Sequence, residues 1–258
     1  MRRLIDRSPG DPRLGLAIDE ALFEALQARG DEAVRFWINL RAVVVGRSQA
    51  VADEVDLRAA EDLATPVLRR ISGGGAVVHY PGNLNLSIVL ASRPAVHSVG
   101  EVFRFFGEAI ASAVADAFTA ETADGPGPER PIRAADNALL LGDAKIGGAA
   151  QARRGDAILY HTTLLLEPDE IPMGALLRAM RPGYAPIAVA SRPRPTTTLA
   201  EETEGPIDVE RIIEAICIAL ADRLGVALDE GRIDDRVLAR AEALRDGKYG
   251  DDGWNRSR

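Results

Sequence analysis

The chain has 258 residues, 47% hydrophobic and 27% charged, a composition that excludes disordered, collagen-like and disulfide-rich classes and predicts a folded protein. Thirty-nine acidic against 31 basic residues give a net charge of −8, which argues against a generic nucleic-acid binder, because that function needs a broad positive footprint. Only Lys145 and Lys248 among the 31 bases are lysine, which leaves 29 arginines. The single cysteine, Cys217, cannot close an internal disulfide. No apolar run follows the N-terminal arginines or reaches the length of a membrane span, so a cytoplasmic protein without signal peptide is expected.

Leu14 to Ala28 repeats apolar residues at helical spacing and stops before Gly30. Strands follow at Val34–Asn39 and Ala42–Gly46, then a helix at Asp53–Leu63. Val67–Ile71, Ala76–His79 and Leu84–Ala91 read as strands with Gly-rich turns and no helix between them, which predicts antiparallel neighbours. A helix spans Glu101 to Ala120, and the Pro- and Gly-rich residues 121–135 read as a surface loop. The strands Ala138–Leu141, Ala144–Gly147 and Ala157–Leu166 are too few for a sheet of their own and are expected to join the first. Gly142-Asp143 and Gly155-Asp156 mark hairpin turns needing positive φ. Helices are expected at Pro172–Met180, Asp208–Leu224 and Asp235–Lys248, with a Pro-rich loop at Arg192–Thr198.

The densest chemistry lies in Arg69-Arg70-Ile71-Ser72-Gly73-Gly74-Gly75-Ala76-Val77-Val78-His79. Three glycines before a strand leave backbone N–H groups open to cradle phosphate oxygens, with Arg70 to add charge; a plain tight turn is the alternative. The segment is neither a P-loop nor a helix-opening GxGxxG. Asn83 and Asn85 lie two apart and share one face of the next strand, where a buried amide must find partners. Lys145 sits between Gly-rich steps in a chain that otherwise writes arginine, which singles it out as a compact ammonium able to bridge anionic oxygens. Lys248 reads as a chance surface residue near a frayed end. His161 opens a strand, where a lone histidine is more often a polar core residue. No HExxH or CxxC spacing occurs, so no metal site is expected. Cys217, apolar on both sides within a helix, reads as a buried, inert thiol.

Four motifs in order resemble those of the lipoate–protein ligase A family, within the superfamily shared with biotin protein ligases and octanoyltransferases. They are Val44-Val45-Gly46-Arg47-Ser48-Gln49; Arg69–His79 with Pro81–Asn85; Asp136-Asn137 with Lys145–Ala150; and His161-Thr162-Thr163-Leu164. The resemblance implies an α+β fold of mixed, mostly antiparallel sheets flanked by helices, like the class II synthetase-like catalytic domain of biotin and lipoate ligases. It implies ATP with Mg2+, lipoate as substrate and lipoyl-AMP as intermediate, and ligation to a lysine of lipoyl domains. Those acceptors would belong to 2-oxoacid dehydrogenases or the glycine-cleavage carrier. Lys145 would be catalytic. Arg70, Gly75, Ala76, Val77, Val78 and Asn137 would join it in holding ATP, and Gly74, His79, Asn85, Gly148, Ala149 and His161 in holding lipoate.

By the same resemblance residues 1–250 form the catalytic domain, and Asp252–Asn255 resembles the start of a linker to an accessory domain. Residues 251–258 are thus a residual linker and the accessory domain is expected from a separate polypeptide. An acyltransferase using a cysteine thioester ranks second, because Cys217 does not suit a nucleophile. Biotin ligation ranks third, and a non-catalytic binding module stays open.

Overall fold

The computed structural model describes residues 1–119, 130–203 and 206–257. Strand β1 (Arg2–Gly10) leads into helix α1 (Pro12–Arg29), whose N-cap Asp11 accepts from Arg13 N–H and whose end at Gly30 is left-handed. Strands β2 (Ala33–Asn39) and β3 (Ala42–Val45) follow, then helices α2 (Val51–Glu54) and α3 (Leu57–Asp62). Strands β4 (Val67–Arg69), β5 (Val77–His79) and β6 (Asn83–Ala91) precede the long helix α4 (Val99–Thr119). Strands β7 (Ile132–Ala135), β8 (Ala138–Leu141), β9 (Ala144–Arg154) and β10 (Ala157–Leu165) come next. The chain continues through α5 (Met173–Leu176), α6 (Val209–Leu224), β11 (Asp229–Glu230), α7 (Asp235–Leu244) and α8 (Asp252–Asn255).

Eight strands form one mixed sheet in the order β11-β1-β2-β6-β10-β9-β8-β7, and three form a second in the order β4-β3-β5. The α+β class expected from sequence is the observed one. Strand β6 shows why the large sheet folds as it does. Leu84, Leu86, Ile88 and Leu90 point into a core beneath α4 and α6, while Asn83, Asn85 and Ser87 alternate onto the opposite face. On that opposite face α1 and α7 pack over Trp37, Val89 and Leu159, and the small sheet covers the rest.

Several expectations need correction. β1 was not foreseen: its polar half-exposed residues carry no alternation, and it is held by parallel pairing with β2. The helix expected at 53–63 breaks at Val55, which is extended and bridges Leu177. β4 and β5 are not antiparallel neighbours of one another. Both flank β3, β4 in parallel through the α2–α3 crossover, and β6 belongs to the other sheet. Part of the expected loop, Ile132–Ala135, is an edge strand, while 121–129 and the helix end at Ala120 lie outside the described residues. The helix expected at 172–180 is reduced to α5 and a 3-10 turn at Arg178–Met180.

The turns at Gly142 and Gly155 do adopt positive φ, at 59° and 56°. Lys248 is not at a frayed end: its ammonium meets both oxygens of Glu20 at 2.8 and 2.9 Å. The segment read as residual linker includes α8, whose Asn255 is buried.

Candidate functional site

Between the two sheets lies a cavity of about 890 Å³, lined by Gly74–His79, Asn83, Asn85, Asn137, Lys145, Gly147–Ala150, His161 and the 189–196 loop, among others. Every site residue expected from sequence lines it, Arg70 included. The lining carries the cations Arg70, Arg104, Lys145, Arg192 and Arg194 against the acids Glu108 and Asp136, so a chain of net charge −8 presents a locally basic pocket.

Arg70 does more than lend charge to the glycine loop. Its guanidinium donates to Gly73 O at 2.6 Å, Gly75 O at 2.8 Å, Val44 O at 3.1 Å and Ser72 Oγ at 3.0 Å, so it fixes the loop's shape from inside. Among the described residues no carboxylate pairs with it, and burial lowers its pKa to about 10. Gly74 has φ of 87°, and a Cβ on Gly46 would lie 2.1 Å from Gly74 O, so both positions exclude side chains. Hydrogen bonds and close packing therefore hold the loop in one shape. Ser191 closes it from the far side, accepting from Ala76 N–H at 2.9 Å while its own hydroxyl donates to the buried Glu54 carboxylate at 2.6 Å.

Lys145 enters from β9. Its backbone is stitched to the Pro-rich loop, donating to Pro195 O at 2.8 Å and accepting from Thr197 N–H at 3.1 Å. No described residue accepts from its Nζ. Burial, then the charges of Arg70 and Arg194, push its pKa down. An ammonium in that condition is stabilised by an arriving anion. Gly148 makes the room: a Cβ there would lie 2.7 Å from Lys145 Nζ. Gly148→Ala is therefore expected to displace the ammonium and lower kcat about tenfold, as misplacing a reacting group does. The melting temperature should stay within about 2 °C, a shift that equals less than 1 kcal/mol in a chain of this size. A kcat equal to the parent's would contradict this placement.

The inner end of the cavity is polar. Asn85 donates to Trp37 O at 3.1 Å and Asn83 to Val78 O at 3.3 Å, and neither amide oxygen has a partner among the described residues. His79 accepts at Nδ1 from Asn39 at 2.9 Å, and burial, with the His161 and Arg70 charges, lowers its pKa to about 3, so it is neutral. His161 Nε2 shares a hydrogen bond with Ser72 Oγ at 2.6 Å, an oxygen that also receives Arg70 Nε–H, and its Nδ1 faces Asp19 at 3.6 Å. Ser72 is 1% exposed and does not line the cavity, so this Ser–His–Asp alignment braces the loop instead of supplying a nucleophile. Asn137 donates to Ala149 O at 3.0 Å, holding β8 against β9 where both meet the pocket.

Asp19, Arg35, Glu54, Ser191 and Arg194 were not foreseen as site residues. Asp19 and Glu54 are acids on otherwise apolar helix faces, a signal visible in LAIDEAL and VADEV; Ser191 has none, since a loop reaches the site only through the fold. Cys217 sits on α6 in the core across the large sheet, away from the cavity lining, and burial pushes its thiol up to about 11.

The lipoyl protein ligase A/B catalytic domain describes residues 11–221 of the chain. Lipoate-protein ligase A subunit 1 of Thermoplasma acidophilum is 30% identical over 98% of this chain and 95% of its own. Octanoyltransferase LipM of Symbiobacterium thermophilum is also 30% identical, over 98% and 97%. Among solved structures, a bi-partite T. acidophilum lipoate protein ligase described with its E2 lipoyl domain superposes at TM-score 0.81, with 25% identity over 99% and 95% of the chains. A lipoate-protein ligase A bound with ATP superposes at 0.79, with 27% identity over 99% and 98%. On its sequence and its fold, the chain belongs to the lipoyl protein ligase A/B catalytic domain family.

Proposed function

We propose that this chain is a lipoate–protein ligase that joins lipoate to a lysine of a lipoyl domain through lipoyl-AMP. The observation that carries the reading is the pair of carboxylate-free buried cations, Lys145 and Arg70, facing one cavity floored by the glycine cradle. The lipoate carboxylate attacks the α-phosphorus of ATP; the new O–P bond forms as the bond to the β-phosphate oxygen breaks and pyrophosphate leaves. Two anions must approach for this, and Lys145 offsets their repulsion most where charge builds up. The acceptor ε-amine then attacks the acyl carbon, AMP departs and the amine gives up a proton. Gly75–Val78 and Asn137 flank the nucleotide, and Gly74, His79, Asn85, Gly148, Ala149 and His161 the acyl chain. Mg2+ arrives on the ATP phosphates as part of the substrate.

The relative termed subunit 1 supports a separate accessory polypeptide for the activation step, with residues 1–250 of this chain as the catalytic domain. Arg153 and Arg154, at the end of β9, the strand that carries Lys145, are the proposed contact for an acidic acceptor domain. Incubation with ATP, lipoate and a lipoyl domain, with and without such a polypeptide, should add the lipoyl mass to the acceptor, while preformed lipoyl-AMP should need this chain alone. Full-rate pyrophosphate release by the chain alone overturns the two-polypeptide reading, and no mass gain in any arm overturns ligation. Acyl transfer through a cysteine thioester is disfavoured by the site of Cys217. Cys217→Ser is expected to keep activity within about twofold of the parent, since a buried thiol unused in chemistry tolerates its oxygen analogue in activity if not in stability. Complete loss of activity with the fold intact would reverse the ranking.

A further inference from the structure

Strand β4 is the outer strand of the small sheet, so Arg69 turns its backbone N–H and C=O away from β3. No further strand meets them. Instead Asn255 Oδ1 accepts from Arg69 N–H at 3.1 Å, Trp254 Nε1 donates to Arg69 O at 2.8 Å, and Arg69 Nε donates to Trp254 O at 3.2 Å. The same segment is fastened elsewhere. Asn255 donates to Tyr249 O at 2.8 Å, and the Lys248 ammonium, salt-bridged to Glu20, lies 4.0 Å from the centre of the Trp254 ring.

Arg69 in turn holds the turn after β3, donating to Gly46 O at 2.9 Å, Arg47 O at 3.2 Å and Gln49 O at 2.8 Å. That turn carries the glycine loop: Arg47 N–H donates to Ser72 O at 2.9 Å, and Gln49 donates to Ser191 Oγ at 3.1 Å, the oxygen that receives Ala76 N–H. Each link is a buried or half-buried hydrogen bond, and the chain of them is continuous from α8 to both ends of the loop. Arg69 and Arg70 are adjacent, and successive strand residues face opposite ways. One is gripped from outside while the other shapes the cradle from within.

We propose that Lys248–Asn255 is a positioning clamp for the glycine loop, with Trp254 and Asn255 acting through Arg69. The Gly46–Gln49 turn is the element that passes the constraint on. The test compares Trp254→Phe, which removes the donor to Arg69 O and trims the ring against Lys248, and Asn255→Ala with the parent by hydrogen exchange and ATP titration. Exchange in 46–49 and 69–76 should quicken about fivefold, the effect of losing one such bond, while 157–165 stays as in the parent. Asn255→Asp keeps the acceptor for Arg69 N–H but gives up the donor to Tyr249 O, and should restore part of the protection. The Kd for ATP should rise about fivefold in Trp254→Phe and Asn255→Ala.

Faster exchange confined to 245–257, or spread evenly over both sheets, overturns the clamp, as does an unchanged Kd. The ATP measurement rests on the nucleotide reading above. If the parent takes up no ATP, that reading falls, while exchange, measured without nucleotide, still decides the clamp.

Discussion

Lys145→Met is expected to slow acyl activation about a thousandfold and to leave a folded protein slightly more stable than the parent. Both effects follow from one burial. The ammonium stands in a cavity with Arg70 and Arg194, and desolvation above all depresses its pKa. The unfolded chain therefore holds this proton more tightly than the folded one. The cost to the fold is complete below the lowered pKa and fades as pH climbs from that value towards the ordinary 10.5 of a lysine. Methionine keeps the length and discards the charge, so the melting temperature at neutral pH should rise by about 2 °C. In the parent, kcat/KM should decline on the alkaline side at a pH below 10.5, because the cation is the working form. Pyrophosphate release across pH and thermal melts of both proteins check this. A variant that retains a tenth of the parent's rate would remove Lys145 from the chemistry.

Arg35→Met should destabilise the fold by about 3–5 kcal/mol, the cost of stranding a buried charge. Arg35 and Asp19 are each 3% exposed and meet at 2.7 Å, and the guanidinium also donates to Gly15 O at 2.8 Å. Burial alone would push the Asp19 carboxyl up; the facing His161 ring, the Arg35 charge and the Ser87 hydroxyl outweigh it, so its pKa lies below the ordinary 3.8. Its contribution is thus present above 3.8 and is lost as pH falls through the lowered value. Without Arg35 that value rises and acid unfolding should begin at higher pH. Urea melts at neutral and acid pH measure both effects. The double change Asp19→Leu with Arg35→Met should recover part of the loss, since no charge is then left unpaired. A single variant within about 1 kcal/mol of the parent would show that the pair is not what ties α1 to β2.

Much of the site was legible because its chemistry is written in residue types that have few other uses. A lone lysine among arginines, a triple glycine before a strand and the alternation NLNLS each carry their reason in the sequence, and the fold places all of them on one cavity. What could not be read depends on meetings between distant segments. β1 forms because β2 offers it an edge, Ser191 reaches Glu54 from 137 residues away, and Lys248 acquires a role only when α7 brings it to Glu20. The pairing of β4 and β5 was misjudged for the same reason. Adjacent strands in sequence suggested a meander, but β3 had already supplied the edge on which both could pair.

If the proposed function holds, the chain carries an acyl-adenylate, an electrophile which any unprotonated amine could intercept, its own included. Here the side-chain amines number two. One works inside the cavity as a cation, and the other is locked against Glu20 beneath an indole ring. The guanidinium groups that cover the rest of the surface stay protonated and do not attack acyl carbon. On the proposed function, the lopsided ratio of the two bases leaves few side-chain amines on this chain to compete with the acceptor's lysine.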